Sequence, residues 1–428
     1  MSHGLGVAVR EVGHVVDAFR AIRRPRAETD LRTLDGLRDL LAFARANVPH
    51  YAGPRYDVRL DTLADLARLP ILDKAAVLDG DPGRFHAPGL TPRDYRVDRT
   101  SGTTGRVLEV RHDVAAYGYH GATVFRRFLL SGYRPWWRIA HIKPFPRPLR
   151  WFQRLGLFPR TVIGAGQGDA KILADVLKVR PHLIMGYPVV LRGLLRAASP
   201  ADLARLRRTL RMVMTDSELL TDEVRDLLSG GFGAPVYDEY SAYEVLTVST
   251  QCGRGAMHVD EDRVRLEIVG EDGAPVPDGE EGGVVVTHFR ERAMPLLRYR
   301  LGDRGMIVPG ECGCGNRFTR MRVTGGRSDD YVTFPGGHRV YTATFLSLAM
   351  WTPGVAESMV RQAADGTVTV HLVAEAGRDF GQVAAAYRRG LAEQVGGPVE
   401  VRFERAERVT LTPGGKGRFV ESAARPGP

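Results

Sequence analysis

A seven-residue stretch rich in hydroxyls and glycine, Thr100-Ser-Gly-Thr-Thr-Gly-Arg106, is the first chemical signal in the chain. Its glycines let backbone N–H groups approach a ligand closely, and successive N–H groups in such a turn form an anion-binding nest. The hydroxyls add donors and Arg106 adds a fixed positive charge. No Gly-Lys-Ser/Thr closes the stretch, so it is not a Walker A loop. It predicts a phosphate-binding loop, although a flexible surface turn has a similar composition. The predicted binding residues are Thr100, Ser101, Gly102, Thr103, Thr104 and Gly105.

Three further segments carry residues that could act on a nucleotide: Tyr240-Ser-Ala-Tyr-Glu244, Tyr299-Arg-Leu-Gly-Asp303 and Pro413-Gly-Gly-Lys-Gly-Arg418. The first offers an aromatic face and a carboxylate. The second places a carboxylate after a glycine turn, where it can accept ribose hydroxyls. The third carries Lys416, the only lysine after position 178, on a glycine-rich tip. Taken singly, each segment has a structural explanation: a tyrosine at a strand end, a solvated aspartate, or an exposed loop.

The three cysteines of the chain fall, with one histidine, into a pattern that suits a zinc ion. Cys252 lies shortly before His258, and Cys312-Gly-Cys314 forms a tight knuckle. Three thiolates and one imidazole complete the tetrahedral ligand set of a structural Zn²⁺ site and leave no position for a reacting water. The alternative is a set of buried free cysteines beside an unrelated histidine. We expect zinc, because every cysteine belongs to this one pattern.

Length and composition indicate a globular protein of more than one domain. The chain has 428 residues, 43% of them hydrophobic and 26% charged, and at this length we expect two or more domains. No apolar run approaches the ~20 residues that span a bilayer. Charges interrupt the apolar positions of Val7–Phe19, which predicts an amphipathic helix rather than a signal peptide. We therefore expect a cytoplasmic protein without a membrane partner.

The charge pattern favours small anionic ligands over nucleic acid. The net charge is +10, from 60 basic and 50 acidic residues, and the basic residues are dispersed. A nucleic-acid-binding protein more often has a basic stripe with interleaved aromatic residues. An excess of positive charge attracts polyanionic small molecules. For its assembly, a homodimer is one option.

The chemical residues lie among segments that alternate between helical and strand patterns. Helical spacing is found in Leu31–Val48, Asp113–Leu130, Ala170–Lys178 and Thr221–Leu228. Short apolar runs that resemble buried strands are Arg138–Ile142, His182–Met185 and Arg211–Thr215. From about Val264 the pattern is β-rich, with strands expected at Val264–Val269, Gly283–His288 and Gly305–Val308. The alternation predicts an α/β fold, with covered β-sheets in a large N-terminal domain over residues 1–328.

The last hundred or so residues predict a small α+β domain over residues 329–428. The expected strands are Tyr331–Phe334, Ala356–Gln362, Thr367–Ala374 and Pro398–Arg405. The expected helices are near Thr342–Trp351 and at Gly381–Gln394. The glycine- and aspartate-rich stretch at 325–330, which breaks the periodicity, is the expected hinge.

The order of these motifs resembles that of the acyl-adenylate-forming superfamily, and within it the phenylacetate–CoA ligase type. The family's phosphate loop is similar to Thr100–Arg106, and its Tyr-Gly-x-Ser/Thr-Glu element is similar to Tyr240–Glu244. Its Tyr-Arg-Thr-Gly-Asp element is similar to Tyr299–Asp303. Its Gly-Arg-x-Asp-Asp hinge is similar to Gly326–Asp330, and its Gly-Lys-x-Arg element is similar to Gly415–Arg418. The cysteine and histidine set is also similar to a zinc-binding feature of many phenylacetate–CoA ligase-like proteins. The resemblance implies an ATP-dependent, AMP-forming ligase that adenylates a small or aromatic acid and passes it to an acceptor.

The resemblance implies a nucleotide site built from several of these elements. The loop from Ser101 to Gly105 would hold the β- and γ-phosphates of ATP. Tyr240 would stack on adenine, with Asp238 and Glu239 lining that pocket. The segment that contains Ser217 and Glu218 resembles, less closely, the family's segment between adenine and acid.

The resemblance also implies the catalytic groups. Glu244 would bind Mg²⁺, and Asp303 would accept both ribose hydroxyls with help from Arg327. Asp329 would be the hinge about which the small domain rotates. Lys416 would contact the α-phosphate and the attacking oxyanion.

Departures from the family pattern concentrate around the acid and its acceptor. Tyr187, Tyr243 and Phe145 are the expected acid-pocket residues. Position 243 is tyrosine where serine or threonine is usual, so a phenol re-lines the pocket. Ser241 replaces a glycine, and Leu301 replaces a threonine or serine.

The acceptor follows less directly from the motifs. Residues 334–341 differ from the family's usual Gly-Val-Asn-Val-Phe-Pro, in a region that usually faces the thiol acceptor. The thiol of CoA is the expected acceptor. The alternatives are an amine, a carrier-protein thiol or another nitrogen nucleophile, including activation of nitrite for diazotisation of an aromatic amine. A nucleotide-sensing protein without catalysis is a further alternative, against which the joint presence of Glu244, Asp303 and Lys416 argues.

Overall fold

The computed structural model describes most of the chain. The described residues are 2–79, 81–99, 108–143, 151–164, 169–217, 220–325, 331–334, 339–341, 345, 348–349, 352–375, 377–395, 397–407 and 420–422. The predicted site residues that lie outside this set are Thr100, Ser101, Gly102, Thr103, Thr104, Gly105, Phe145, Glu218, Arg327, Asp329 and Lys416.

Helices and strands alternate along the chain, as the sequence pattern predicts. The helices are α1 (Ser2–Ala21), α2 (Arg26–Asn47), α3 (Lys74–Leu78), α4 (Val114–Leu130), α5 (Trp151–Arg154), α6 (Asp169–Val179), α7 (Pro188–Ala197), α8 (Pro200–Thr209), α9 (Asp222–Phe232) and α10 (Phe380–Val395). The first ten strands are β1 (Tyr95–Arg99), β2 (Glu109–Asp113), β3 (Ile139–Lys143), β4 (Arg160–Gly164), β5 (Leu183–Gly186), β6 (Met212–Asp216), β7 (Val236–Ala242), β8 (Leu246–Gln251), β9 (Met257–Val259) and β10 (Val264–Val269). The remaining strands are β11 (Gly282–His288), β12 (Tyr299–Val308), β13 (Arg320–Gly325), β14 (Tyr331–Thr333), β15 (Arg339–Tyr341), β16 (Val355–Gln362), β17 (Val368–Ala374), β18 (Arg402–Arg405) and β19 (Val420–Ser422).

One eleven-stranded sheet dominates the fold, in the order β10-β11-β12-β13-β9-β8-β7-β6-β5-β3-β4. From β4 to β7 each strand is parallel to its neighbour, whereas the strands from β7 to β10 pair antiparallel. Strand β7 therefore joins the two halves. Ligands of parallel α/β sheets bind outside the carboxyl ends of the strands, so this edge is where a site is expected.

Helices cover the parallel half because its strands are apolar on both faces. Strands β5 and β6 are buried along their whole length. Apolar side chains of α6, α7, α8 and α9 pack with β3, β5 and β6 into one core. Thr221 caps α9 by accepting a hydrogen bond from the Val224 N–H, and the helix ends at Gly233, whose φ of 67° is the left-handed conformation that glycine favours.

The predicted phosphate-binding loop connects two paired strands. Strands β1 and β2 form an antiparallel pair, with Tyr95 opposite Asp113 and Arg99 opposite Glu109. Asp113 then caps α4, because its Oδ1 accepts a hydrogen bond of 2.7 Å from the Ala116 N–H. The loop thus joins a hairpin that leads directly into a helix.

Strand β12 differs from the sequence-based expectation. The sequence predicts a strand only at Gly305–Val308, with a glycine turn before Asp303, but one strand runs from Tyr299 to Val308. Gly302 adopts a φ of 86°, and the pairing with β11 and β13 shifts register nearby. The glycine therefore forms a bulge inside the strand instead of a turn. The bulge re-aims the residue beside it, which is Asp303.

The described part of the C-terminal region forms its own layer. Strands β18, β17, β16 and β19 make a four-stranded sheet, and α10 packs with it in a core separate from that of the large sheet. The strand expected at Pro398–Arg405 is shorter than predicted, because only β18 is extended. Most of the helix expected near Thr342–Trp351 lies outside the described residues. The domain division at 328/329 stays a prediction.

The α/β fold class is confirmed, with a large sheet covered by helices. Within the described ranges, no helix is both long and apolar enough to cross a membrane.

Candidate active site

Two of the sequence motifs are joined by a pair of reciprocal hydrogen bonds. The Tyr240 hydroxyl, at the end of β7, donates to Asp303 Oδ2 on β12 over 2.6 Å. The Tyr299 hydroxyl, on β12, donates to Glu244 Oε1 just beyond β7 over 3.2 Å. Each motif therefore supplies a tyrosine to the carboxylate of the other. Residues that lie some sixty positions apart in sequence form one cluster.

Glu244 lies in the turn between β7 and β8. The Val245 N–H donates to the Ala242 carbonyl over 3.2 Å, which closes the turn. Leu246, the first residue of β8, has a φ of 65°. Strained backbone of this kind in a non-glycine residue is characteristic of functional sites. Glu244 is buried, whereas its neighbour Tyr243 is 41% exposed and faces the open side of the turn.

A buried histidine holds this turn in place. His112 Nε2, on β2, donates to the Tyr243 carbonyl over 2.8 Å, and its Nδ1 lies 3.0 Å from Glu291 Oε2. The Oε1 atom of Glu291 accepts hydrogen bonds from the backbone N–H groups of Asp113, Arg292 and Ala293. Burial opposes a charge on His112, but the Glu291 carboxylate and the Tyr243 carbonyl outweigh it and raise the pKa of His112. Sequence reasoning missed this pair.

A row of polar side chains lies at the carboxyl ends of the parallel strands. Lys143 ends β3, Tyr187 follows β5, and Asp216 ends β6, so the strand register places the three side by side. Lys143 Nζ lies 2.5 Å from Asp216 Oδ1 and 4.6 Å from the centroid of the Tyr187 ring. Ser217, with a φ of 68°, donates to the same Asp216 oxygen over 2.7 Å.

Electrostatic interactions keep Lys143 and Asp216 ionised. Burial opposes ionisation of Lys143, but the Asp216 carboxylate and the Tyr187 hydroxyl outweigh it and raise the pKa of the amine. In turn Lys143 lowers the pKa of Asp216 despite burial of that carboxyl. Burial raises the pKa of Tyr187 to about 12, so this phenol stays protonated at neutral pH.

The two acidic residues before Tyr240 lie on opposite faces of β7. Glu239 forms an ion pair with Arg127 of α4 and accepts a hydrogen bond of 2.7 Å from Thr247. Asp238 faces the other way, as alternation along a strand requires, and its Oδ1 accepts a hydrogen bond of 2.6 Å from the Thr215 hydroxyl. Burial raises the pKa of Asp238 to about 6. Only Asp238 thus shares the face of Tyr240.

The predicted metal-ligand set converges away from these groups. The ligand atoms of Cys252, His258, Cys312 and Cys314 all lie within 4.8 Å of one another. The sulfurs of Cys252 and Cys312 are 3.8 Å apart, which is the span of two Zn–S bonds of about 2.3 Å at a tetrahedral angle. His258 Nδ1 donates to the Phe318 carbonyl over 3.0 Å, which leaves Nε2 unprotonated and 3.3 Å from the Cys314 sulfur. A histidine ligand of a metal is oriented in this way.

The structure therefore brings together most of the predicted site residues that it describes. Tyr240, Glu244 and Asp303 form one cluster, Tyr187 and Ser217 lie beside the Lys143–Asp216 pair, and Tyr243 lies in the turn before Glu244. Lys143 and Asp216 were not predicted. Each is a charged residue that ends a buried strand, and that position at the carboxyl edge is the signal that identifies them.

Comparisons with known proteins agree with this geometry. No protein-family model matches the chain. The chain is 27% identical to a phenylacetate-coenzyme A ligase of Thermus thermophilus over 333 residues, 73% of each protein. It is also 27% identical to a phenylacetate-coenzyme A ligase of Aromatoleum evansii over 347 residues, covering 75% of this chain and 73% of that protein.

Solved structures extend the likeness to the fold. A crystal structure of 2-hydroxyisobutyryl-CoA ligase in the postadenylation state has a TM-score of 0.65 and 19% identity, covering 94% of this chain and 91% of that one. In sequence the chain is similar to phenylacetate–CoA ligases, and in fold to an adenylate-forming CoA ligase, as the order of its motifs indicates.

Proposed function

We propose that the protein is an ATP-dependent ligase that adenylates a small or aromatic acid and transfers the acyl group to the thiol of CoA. The observation that carries the proposal is the reciprocal pairing of Tyr240 with Asp303 and of Tyr299 with Glu244. It assembles an aromatic ring and two carboxylates at one place beside the strand ends. An adenosine, its ribose and a metal-bound phosphate need such groups.

On the nucleotide side, Tyr240 stacks on adenine and Asp303 accepts the ribose hydroxyls, with help from Arg327. The hydroxyl of Tyr240 holds the Asp303 carboxylate in position for this contact. The Thr100–Gly105 stretch, which connects β1 and β2, binds the β- and γ-phosphates. Asp238 lies on the adenine face of β7, whereas Glu239 braces the opposite face through Arg127.

A magnesium ion fits the chemistry of Glu244. Mg²⁺ is usually bound through one or two carboxylates together with substrate phosphates. Glu244 is a buried carboxylate oriented by the Tyr299 hydroxyl, so Glu244 would hold the ion against the phosphates of ATP. When bound, the ion neutralises developing charge on the phosphate oxygens.

In the adenylation step, a carboxylate oxygen of the acid attacks the α-phosphorus of ATP. The bond from that phosphorus to the pyrophosphate oxygen breaks, and pyrophosphate leaves. Both reacting groups are anionic, so Lys416 stabilises the charge as it develops, which is typically the largest catalytic contribution. The CoA thiolate then attacks the acyl carbon and AMP leaves. Rotation about Asp329 would withdraw Lys416 between the two steps.

The second metal site is structural in this proposal. Cys252, His258, Cys312 and Cys314 would hold Zn²⁺ with four protein ligands, which leaves no position for a substrate. The site ties the β8–β9 turn to the loop before β13. Its role is to stabilise the antiparallel half of the sheet.

The test is pyrophosphate release over a panel of acids, with ATP and Mg²⁺ present. Release should depend on the acid and should fall by about 10²–10³-fold in Lys416→Ala, as expected on removing one charge-stabilising group. Lys178→Ala, on an exposed part of α6, is the matched control and should retain the activity of the parent protein. Acid-independent release, or release unaffected by Lys416→Ala, contradicts adenylation.

The acceptor is identified by adding candidates to the same assay. CoA should accelerate turnover and give an acyl thioester. A product with hydroxylamine or an aromatic amine but none with CoA would show that the adenylate passes to nitrogen. Turnover with nitrite in place of the acid would identify the diazotising reaction.

A further inference from the structure

The Lys143–Asp216 pair lies at the carboxyl edge of the parallel strands, on β3 and on the strand that neighbours β7. Asp216 lies beside Glu239 of β7, the strand that leads into the turn of Tyr243 and Glu244, and Lys143 lies against the Tyr187 ring. An acid whose carboxylate reacts beside Glu244 therefore extends its other end over the strand ends of β3, β5 and β6. This step rests on the proposed function, because it takes Glu244 as the reacting end of the pocket.

Lys143 and Tyr187 have more hydrogen-bond donors than their contacts with other described residues occupy. The Lys143 ammonium has three N–H donors; it bonds to Asp216 and lies 4.6 Å from the centroid of the Tyr187 ring. The Tyr187 hydroxyl adds an O–H donor. Lys143 is 16% exposed and Asp216 only 7%, so the amine is the member a ligand can reach. The row thus presents donors to the pocket.

Charge on this row is already balanced. Asp216 neutralises Lys143, and Glu239, next to Asp216 across β6 and β7, is neutralised by Arg127. A second carboxylate on the acid would bring an unpaired negative charge to a largely buried edge. An ammonium group on the acid would be repelled by the accessible ammonium group of Lys143. An unsubstituted hydrocarbon would cover the donors without satisfying them, which is unfavourable for buried polar groups.

We propose that the substrate is an acid that carries a neutral oxygen acceptor, a hydroxyl or an oxo group, and that Lys143 and Tyr187 select it by hydrogen bonding. Asp216 is a positioning residue, because it holds the Lys143 ammonium in place. A site built to bond a substrate oxygen discriminates strongly against the analogue that lacks it, since its buried donors are then left unpaired. The expected preference in kcat/KM is at least about tenfold.

The test measures pyrophosphate release with pairs of acids that differ by one oxygen. Suitable probes are benzoate with 3-hydroxybenzoate, phenylacetate with 4-hydroxyphenylacetate, isobutyrate with 2-hydroxyisobutyrate, and propionate with pyruvate. Succinate and β-alanine test a second negative charge and a positive charge. The oxygenated member of at least one pair should be preferred, over its analogue and over both charged acids.

A double variant separates selection from a structural role. Lys143→Met with Asp216→Asn removes both charges together, so no unpaired charge is left buried, and the preference should fall to near unity. Lys171→Met with Asp175→Asn, an exposed lysine–aspartate pair on α6, is the matched control and should keep the preference. The preference is a ratio, so a loss of folded protein alone does not change it.

The possible results separate a failure of the proposed substrate preference from a failure of adenylation itself. Acid-dependent release with no preference for the oxygenated members, or a preference that survives the double variant, overturns the inference and leaves adenylation intact. A preference for succinate or β-alanine also overturns it. Release that no acid of the panel stimulates contradicts the proposed function and this inference together.

Discussion

Two neighbouring pairs in the site, Tyr240–Asp303 and Lys143–Asp216, differ in what they leave for a ligand. The first joins a neutral phenol to a carboxylate. The second joins opposite charges that cancel and leaves N–H and O–H donors beside the pocket. A carboxylate that accepts hydroxyls suits the ribose of ATP, which is the same in every turnover. The Lys143–Asp216 pair has no net charge, and the hydrogen-bond donors beside it can discriminate among acids.

Activation of the acid and selection among acids therefore depend on different residues at the carboxyl ends of the strands. Changes on the nucleotide side should lower activity with every acid by the same factor. Changes on the acid side should alter the ratio between acids.

The largest effect is expected for Glu244→Gln. The substitution keeps the size of the side chain and removes the charge that would bind Mg²⁺, so the adenylation rate should fall by roughly 10²–10³-fold. The fall should be equal for all acids in steady-state assays. Glu28→Gln, on the exposed face of α2, is the control. A fall confined to one acid would place Glu244 on the selecting side and contradict the division.

The zinc site tests a part of the sheet that supplies none of the proposed nucleotide-binding or acid-binding groups. Cys312→Ser should reduce bound zinc from about one equivalent per chain, as measured by elemental analysis, because one of four ligands is lost. The free energy of unfolding should fall by about 3 kcal/mol, since the loss of a metal is among the largest single-site effects. The acid preference of the folded fraction should be unchanged. A fully stable protein that contains no metal would contradict the site.

A smaller effect is expected from Asp238, on the adenine face of β7. Burial raises its pKa to about 6 from 3.8, so the folded state holds a proton that the unfolded state has lost in this range. Its contribution therefore favours folding below about pH 4 and is lost as the pH rises through about 6. Between these limits stability should fall by about 2 kcal/mol more in the parent than in Asp238→Asn.

Denaturation at a series of pH values measures this difference. The exposed Asp226→Asn on α9 is the control and should follow the parent protein. A parallel pH dependence of the parent and Asp238→Asn would show that Asp238 does not titrate as the geometry requires.

The smallest effect is expected for Tyr240→Phe. The ring remains to stack on adenine, but the hydroxyl that holds Asp303 is lost, at about 1 kcal/mol for one hydrogen bond. The KM for ATP should rise about fivefold, with kcat and the acid preference little changed. Tyr237→Phe on the same strand is the control. An altered ratio between acids would show that the two sides are not separable.

The sequence predicts the nucleotide side better than the acid side for a physical reason. Tyr240–Glu244 and Tyr299–Asp303 are short continuous motifs, so their residue types and spacing are visible in one dimension. Lys143 and Asp216 come from separate strands and meet only through the register of β3, β5 and β6. Nothing local in the sequence pairs them. The position of a charge at the end of an apolar run was the available signal.

The prediction of helices and strands from the sequence is limited in the same way. Apolar periodicity predicts α4, α6, α9 and the strands β3, β5 and β6 to within a few residues, because burial dictates the composition of these elements. It fails at Gly302, where a glycine was interpreted as a turn but forms a bulge within β12. A positive φ is equally compatible with both structures. Strand pairing decides between them, and pairing partners are remote in sequence.

The most direct test of adenylation follows one oxygen atom. An acid labelled with ¹⁸O in its carboxylate is turned over with ATP and CoA, and the AMP is examined by mass spectrometry. Because the carboxylate oxygen attacks the α-phosphorus and stays there when the thiolate displaces AMP, each AMP should carry one labelled oxygen. AMP without label, or ADP and phosphate as products, would contradict the account.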